Sequence, residues 1–264
     1  MLELYGQKFS SRLLIGTARY PSLPVMQEAV KVSAAQIVTV SVRRENAGGK
    51  DGDTFWNIIR ELGVKVLPNT AGCYSVEDAV STAELARELF DTQWIKLEVL
   101  GDKATLQPDV VGTLEAAKIL LADGFEVFPY CTEDLTVAKR LAEAGCKVVM
   151  PWGSQIGSGK GIVHDEALKR MRAELPGVTL VIDAGLGAPS HAAKALEMGY
   201  DAVLLNTAVA GSGDPVKMAK AFAQAIEAGR AAFEAGMMKP REIAQASTPV
   251  AGTPFANAAN AKTS

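Results

Sequence analysis

The chain has 264 residues, the length of one large α/β domain or two small ones, and 48% of them are hydrophobic, enough for a sizeable core. A net charge of −3 and a pI near 5.6 exclude a general binder of nucleic acid or anionic membrane, and the basic residues do not gather in tails, so any anion site must be local. Three cysteines (Cys73, Cys131 and Cys146) without CxxC spacing fit a reducing cytoplasm, and with His164 and His191 as the histidines a multi-histidine metal site is excluded.

The opening MLELYGQKFSS lacks the basic-then-apolar layout of a signal peptide, and no apolar run reaches the roughly 18 residues that span a bilayer. A soluble, cytoplasmic protein is expected. Residues 2–9 alternate around Gly6 and predict a small hairpin plugging the bottom of the fold. Short apolar runs then alternate with helix-period segments. The runs are 13–16, 37–42, 64–68, 94–99, 126–130, 147–152, 179–184 and 202–207. The helical segments include 75–90, opened by Ser75 with Asp78 as a capping box, 134–145, closed by Gly145, and 188–199, closed by Gly199. Strands separated by helices of this length must pair in parallel through crossovers. Eight such units predict a closed (β/α)8 TIM barrel over residues 1–245, with a doubly wound open sheet as the competing architecture. The tail 246–264 is small, polar and patternless, and is expected to be mobile.

The run WIKLEV, 94–99, carries the chemistry. Alternation puts Ile95, Leu97 and Val99 toward the helices and Trp94, Lys96 and Glu98 into the barrel. Desolvation of an inward lysine disfavours its ammonium, and a fall from about 10.4 to roughly 7–8 would give a usable neutral amine for imine formation with a ketone. Glu98, about 6.5–7 Å further along the same face, would oppose that fall and is better suited to moving protons on a bound substrate. The competing reading is a buried structural Lys–Glu pair. In the run TLVID, 179–183, the same alternation brings Asp183 to the C-terminal strand end, where active sites of this fold collect; a helix-capping or turn aspartate is the alternative.

The loops AGLGAPS and NTAVAGSGDP follow the seventh and eighth strands, are rich in glycine and lead into helices. Backbone N–H groups there suit a phosphate, with Ala184, Gly185, Asn206 and Thr207 at the junctions, unless these are ordinary tight turns. The loop PWGSQIGSGKGI is not a Walker loop, since Ser154 and Gly161 stand where glycine and Ser/Thr are required. It reads as a substrate rim, with Gly157 allowing close approach. Arg43 and Arg44 could add positive charge to the same mouth or pair with Glu45 or Asp51. His191, His164 and Cys73 read as packing or surface residues, Cys73 having no partnering histidine nearby.

The segments WIKLEVLGD, LPNTAGC, AGCKVVMPWGSQIGSG, VIDAGLGAPSHAAKALEMGYDAVLLNTAVA and PVKMAKAF together resemble the bacterial thiazole synthase family of thiamine biosynthesis, over residues from about 3 to 250. The resemblance implies a (β/α)8 barrel acting on 1-deoxy-D-xylulose 5-phosphate. Lys96 would form an imine with the sugar ketone, Glu98 and Asp183 would do the acid–base work, and Gly157, Ala184, Gly185, Asn206 and Thr207 would contact the sugar phosphate. It further implies sulfur from a small carrier protein with a C-terminal thiocarboxylate, a separate enzyme supplying dehydroglycine (the glycine imine), a homotetramer, and no metal or organic cofactor. Trp152 departs from the family, which more often has a smaller aliphatic residue there. Two other readings compete: a Schiff-base (class I) aldolase of a phosphorylated sugar, and a non-catalytic phosphate-binding subunit, the latter disfavoured because buried charges without a role are costly.

Overall fold

A computed structural model describes residues 1–42 and 50–247, with the side chains of 50–53 outside that description. Arg43, Arg44, Glu45, the side chain of Asp51 and the tail from Thr248 therefore lie outside the described residues.

Strands β1 (Leu2–Leu4) and β2 (Gln7–Phe9) form the expected antiparallel hairpin. Its two-residue turn needs positive φ at both positions, which Tyr5 (47°) and Gly6 (78°) adopt. Tyr5 is held there because its hydroxyl donates to Val127 O at 2.6 Å while its ring packs 5.3 Å from Phe128. Leu2, Leu4 and Phe9 fill the barrel floor against Leu14, Ile37, Leu67, Trp94 and Phe128.

Eight parallel strands close the barrel: β3 (Leu13–Gly16), β4 (Ile37–Ser41), β5 (Lys65–Asn69), β6 (Trp94–Leu97), β7 (Glu126–Cys131), β8 (Val148–Pro151), β9 (Thr179–Asp183) and β10 (Ala202–Leu205), with β10 pairing back onto β3. The open sheet is thereby ruled out. Four of the eight barrel strands are buried along their whole length and the other four at all but one or two end residues, as in a sheet covered on both faces. Ile95, Leu97 and Val99 join the outer core under the helices, and Trp94 joins the inner one, as alternation predicts.

The helical ring comprises α1 (Leu23–Ser33), α2 (Lys50–Leu62), α3 (Val76–Phe90), α4 (Val110–Ala122), α5 (Leu135–Glu143), α6 (Asp165–Glu174), α7 (Pro189–Glu197), the single turn α8 (Thr207–Ala210) and α9 (Pro215–Ala235). Local chemistry sets their starts: Ser75 Oγ accepts from Asp78 N at 3.1 Å, and the carboxylates of Asp109, Asp134 and Asp214 each cap a first turn. Gly145 and Gly199, with φ of 114° and 86°, turn the chain away after α5 and α7. From Gly236 to Ser247 the described chain has no helix or strand.

Strand β6 stops two residues short of the predicted end. The Thr70 hydroxyl accepts from Glu98 N and donates to Glu98 O, both at 2.8 Å, so a side chain takes the backbone groups that a ladder would have used. Glu98 thus leaves the strand while keeping its inward direction.

Candidate active site

The C-terminal strand ends open into a cavity of about 640 Å³, and all eight residues singled out in the sequence line it: Lys96, Glu98, Asp183, Gly157, Ala184, Gly185, Asn206 and Thr207. Barrel closure brings β6 and β9 face to face, so Lys96 Nζ lies 2.6 Å from Glu98 Oε1 and 2.7 Å from Asp183 Oδ2. The contact with Glu98 is a well-aligned hydrogen bond, whereas Asp183 Oδ2 holds the same ammonium as an ion pair of poorer alignment. All three side chains are at least nine-tenths buried.

This triad reverses the expected direction of the lysine shift. Burial acts to lower the Lys96 pKa, but Asp183 and Glu98 together outweigh it and hold the amine above its ordinary value. Asp183 is pushed up, chiefly by burial and further by the Glu98 charge, against the pull of Lys96. The resting site is a clamped ammonium beside a carboxyl group that protonates more readily than usual. Desolvation alone therefore does not yield a neutral amine at this position; a proton would have to pass to a neighbouring carboxylate.

Two loops form the opposite wall. The segment after β8 (153–161) lies backbone to backbone on the segment after β9 (184–187), with Gly161 N donating to Gly185 O at 2.8 Å and Gly153 N to Ala184 O at 3.2 Å. A Cβ on Gly185 would stand 2.1 Å from Ser154 Oγ and one on Gly187 2.4 Å from Gly159 O, so the approach requires glycine. Ala184 itself takes φ 71°, a left-handed conformation that costs a non-glycine residue about 1–2 kcal/mol and turns the chain sharply out of β9. Beyond β10, Asn206 begins α8 without spending its side chain on a cap. Instead, in the amide orientation that satisfies it, it donates to Ala18 O at 2.9 Å and Gly16 O at 3.3 Å. A Cβ on Gly16 would lie 2.6 Å from the Asn206 Cβ, so that glycine admits the asparagine.

The cavity wall, and the core layer behind it, hold residues whose place the sequence did not reveal. Asn69 pairs in register with Lys96, donates to Thr39 Oγ1 at 2.8 Å and accepts from Ala71 N at 3.2 Å. Its signal was strand phase: Leu67 faces inward, so Asn69 must as well, but the strand was ended at Pro68. Tyr130, on β7, sets its ring 5.7 Å from Lys96 Nζ. Trp152 is buried against Leu100 and Tyr130 and donates to Glu133, filling a layer of core beside the site.

Of the remaining candidates, Cys73 is buried 3.4 Å from the Thr82 hydroxyl. His191 accepts from Gly187 N at 3.1 Å and packs its ring under Gly161, making it a loop support. His164 is exposed, 3.6 Å from Glu133. Among the described residues no group of three or more His, Cys, Asp or Glu could hold a metal, and no helix is long and apolar enough to cross a membrane.

The family model for thiazole biosynthesis protein ThiG matches residues 3–249. The chain is 68% identical to a thiazole synthase of Bradyrhizobium sp. (strain ORS 278) over 255 residues, covering 97% of this chain and 98% of the relative. It is 67% identical, with the same coverage, to a thiazole synthase of Nitrobacter hamburgensis. Among solved structures, the Amycolatopsis orientalis BexX/CysO complex contains a chain that superposes with a TM-score of 0.82 at 30% identity, covering 92% of this chain and 98% of that one. The chain belongs to the ThiG family, the thiazole synthases of thiamine biosynthesis.

Proposed function

We propose that this thiazole synthase builds the thiazole phosphate from 1-deoxy-D-xylulose 5-phosphate, dehydroglycine and sulfur carried as a protein thiocarboxylate, through an imine on Lys96. The observation that carries the reading is the buried amine held between two carboxylates, 2.6 and 2.7 Å away, at the edge of a cavity whose far wall is glycine-rich backbone.

The resting ammonium passes a proton to Asp183, the carboxyl group whose pKa is raised. The freed amine attacks the sugar ketone: the N–C bond forms, the carbonyl π bond opens, and the oxygen takes a proton from the protonated carboxyl. Loss of that oxygen as water leaves a protonated imine. A carboxylate then removes a proton from the adjacent carbon to give the enamine, and the carbonyl moves along the chain as protons leave and return. Two carboxylates can divide this work because their surroundings differ: Glu98 accepts the better aligned hydrogen bond from Lys96, while burial and the Glu98 charge raise the pKa of Asp183. The sugar phosphate is held by backbone N–H groups of the loops at Gly157, Ala184, Gly185, Asn206 and Thr207.

The relative in the BexX/CysO complex is bound to a second protein, which supports delivery of sulfur by a small carrier docking on this chain. Free, buried Cys73, Cys131 and Cys146 support a reducing, cytoplasmic setting, and assembly as a homotetramer follows the family. The test is incubation with the sugar phosphate and borohydride followed by peptide mass analysis. The expected product is one reduced sugar adduct on the Lys96 peptide, lost in Lys96→Ala. No adduct, or one on another lysine, refutes the role. Release of a small aldehyde without sulfur donor would replace the synthase with an aldolase.

A further inference from the structure

Four buried side-chain polar atoms among the described residues lack a hydrogen-bond partner: Tyr20 Oη, Thr113 Oγ1, Tyr130 Oη and Asp183 Oδ2. The last two, a donor and an acceptor, belong to one cluster. The Tyr130 ring stands 5.7 Å from Lys96 Nζ, and Asp183 Oδ2 stands 2.7 Å from the same nitrogen. Leaving the buried Tyr130 hydroxyl unsatisfied costs about 1–3 kcal/mol, and Asp183 Oδ2 is held by its ion pair with Lys96. A fold that keeps an unpartnered donor beside that pair is arranged for a state other than the resting one.

The chemistry of the imine supplies that state. The Lys96 ammonium carries three N–H donors, and two carboxylates surround it. A protonated imine carries one. Once the amine has reacted, the cation remains but two of its N–H donors are gone, so one carboxylate must lose its donor, and Asp183, whose contact with Lys96 is the less well aligned of the two, is the one exposed to that loss. Tyr130 is placed to compensate. Lys96 and Leu97 pair with Phe128 and Pro129, so Tyr130 faces the same interior level as Glu98. Leu100 and Trp152 pack on it and restrict where the ring can go.

We propose that the Tyr130 hydroxyl becomes the hydrogen-bond donor to Asp183 when Lys96 is consumed in the imine, which makes Tyr130 a positioning residue of the reaction. It rests on the imine reading above. The titratable groups facing Tyr130 are Lys96 and Glu98 from the β6 side, Asp183 from β9, and Cys131 beside it on β7. Burial together with the Asp183 and Glu98 charges holds the phenol well above its ordinary pKa, so it remains a neutral donor throughout the working range. Tyr130 does not line the cavity and acts through the carboxylate, not on the sugar.

The test uses Tyr130→Phe, which keeps the ring and deletes the hydroxyl, with the full-length enzyme, 1-deoxy-D-xylulose 5-phosphate, and brief borohydride pulses read by mass analysis of the Lys96 peptide. The expected results are an unchanged or higher Tm, because an orphan is removed, and an adduct yield lowered about ten- to a hundredfold, the size of one hydrogen bond to a charged group. At saturating sugar the acid limb of the yield against pH should move up by about one unit, since a carboxylate that has lost a donor protonates more readily. At low sugar, where the free enzyme sets the limb, it should stay in place. A residue that only fills space would move neither limb. A yield and pH profile equal to wild type overturn the inference alone, and so does a lowered Tm, which would mean the hydroxyl is already partnered at rest. If wild type itself forms no adduct, the imine reading fails and this inference with it.

Discussion

Replacing Lys96 by methionine removes one charge from the triad and keeps most of the side chain's volume, so the effect on stability is electrostatic and not a cavity. In wild type, Nζ sits 2.6 and 2.7 Å from two carboxylate oxygens, with all three groups nearly sealed from solvent. At an effective dielectric of 20, each contact is worth roughly 6 kcal/mol before desolvation is counted. Removing one partner of a buried pair nets about 3–5 kcal/mol. For a chain of this size, that lowers Tm by roughly 6–20 °C at pH 8. The loss depends on pH, with a sign that can be worked out. Asp183 has a folded pKa raised above its unfolded value. Its contribution is therefore fully present below the unfolded pKa near 3.9 and is lost as pH rises through the folded one. Without the lysine, Asp183 loses the charge that pulls its pKa down and shifts further up, so the variant binds an extra proton on folding through mildly acidic pH. Lys96, also raised, is an ammonium in both states from pH 5 to 8 and adds no slope there. The Tm deficit should shrink by at least half between pH 8 and pH 5, read by differential scanning calorimetry. A variant as stable as wild type at pH 8, or a deficit that grows on acidification, would refute the charge clamp.

Two glycine substitutions separate backbone strain from loop contact. Gly185→Ala combines φ 78° with a Cβ 2.1 Å from Ser154 Oγ and 2.5 Å from Ser154 N, so the facing loops must part; sugar-phosphate affinity by titration calorimetry should fall at least about tenfold. Unchanged affinity would mean that the contact does not shape the cavity. Gly157→Ala carries φ 73° but meets nothing nearer than Thr207 Oγ1 at 4.0 Å, so it should lose only the about 1–2 kcal/mol of the left-handed backbone, with a smaller Tm drop than Gly185→Ala. Asn69→Ala strands the Thr39 hydroxyl and the Ala71 N–H, and should cost about 1–3 kcal/mol in urea unfolding; an unaltered midpoint would show that solvent from the cavity replaces both bonds.

How far such features can be read from sequence depends on whether they are local. Alternation is a property of the backbone, so Trp94, Lys96 and Glu98 against Ile95, Leu97 and Val99 was legible from six residues. Parallel pairing followed from helices too long for hairpins, and the helix ends at Ser75, Gly145 and Gly199 from local chemistry. The lysine's electrostatics were not legible. Burial is implied by strand phase, but the charge that outweighs it comes from Asp183, which only barrel closure brings within 2.7 Å. Asn69 and Tyr130 were passed over for a related reason. Proline at 68 reads as a strand end because it has no N–H to donate. In the barrel it lies opposite Val40, and β5 meets β6 at the single register pair of Asn69 with Lys96. The ladder there is thin because of the proline, yet it continues to the one position that matters for the site.

The cavity's charge pattern explains why its anion grip is proposed to be made of backbone. Among the described residues lining it, Lys96 is the one cation. A guanidinium on the opposite wall would hold a phosphate more strongly, but it would also place a permanent positive charge within reach of Glu98 and Asp183 in a low dielectric. Such a charge lowers carboxylate pKa values, and a carboxylate so lowered is a poor acceptor for the Lys96 proton. Amide dipoles at the loop and helix starts have a shorter reach, since their effect fades within about a turn. They can therefore bind the phosphate end of the sugar while leaving the triad's proton balance to the triad. The glycines at 185 and 187, which a Cβ would push apart, keep that backbone close enough to serve.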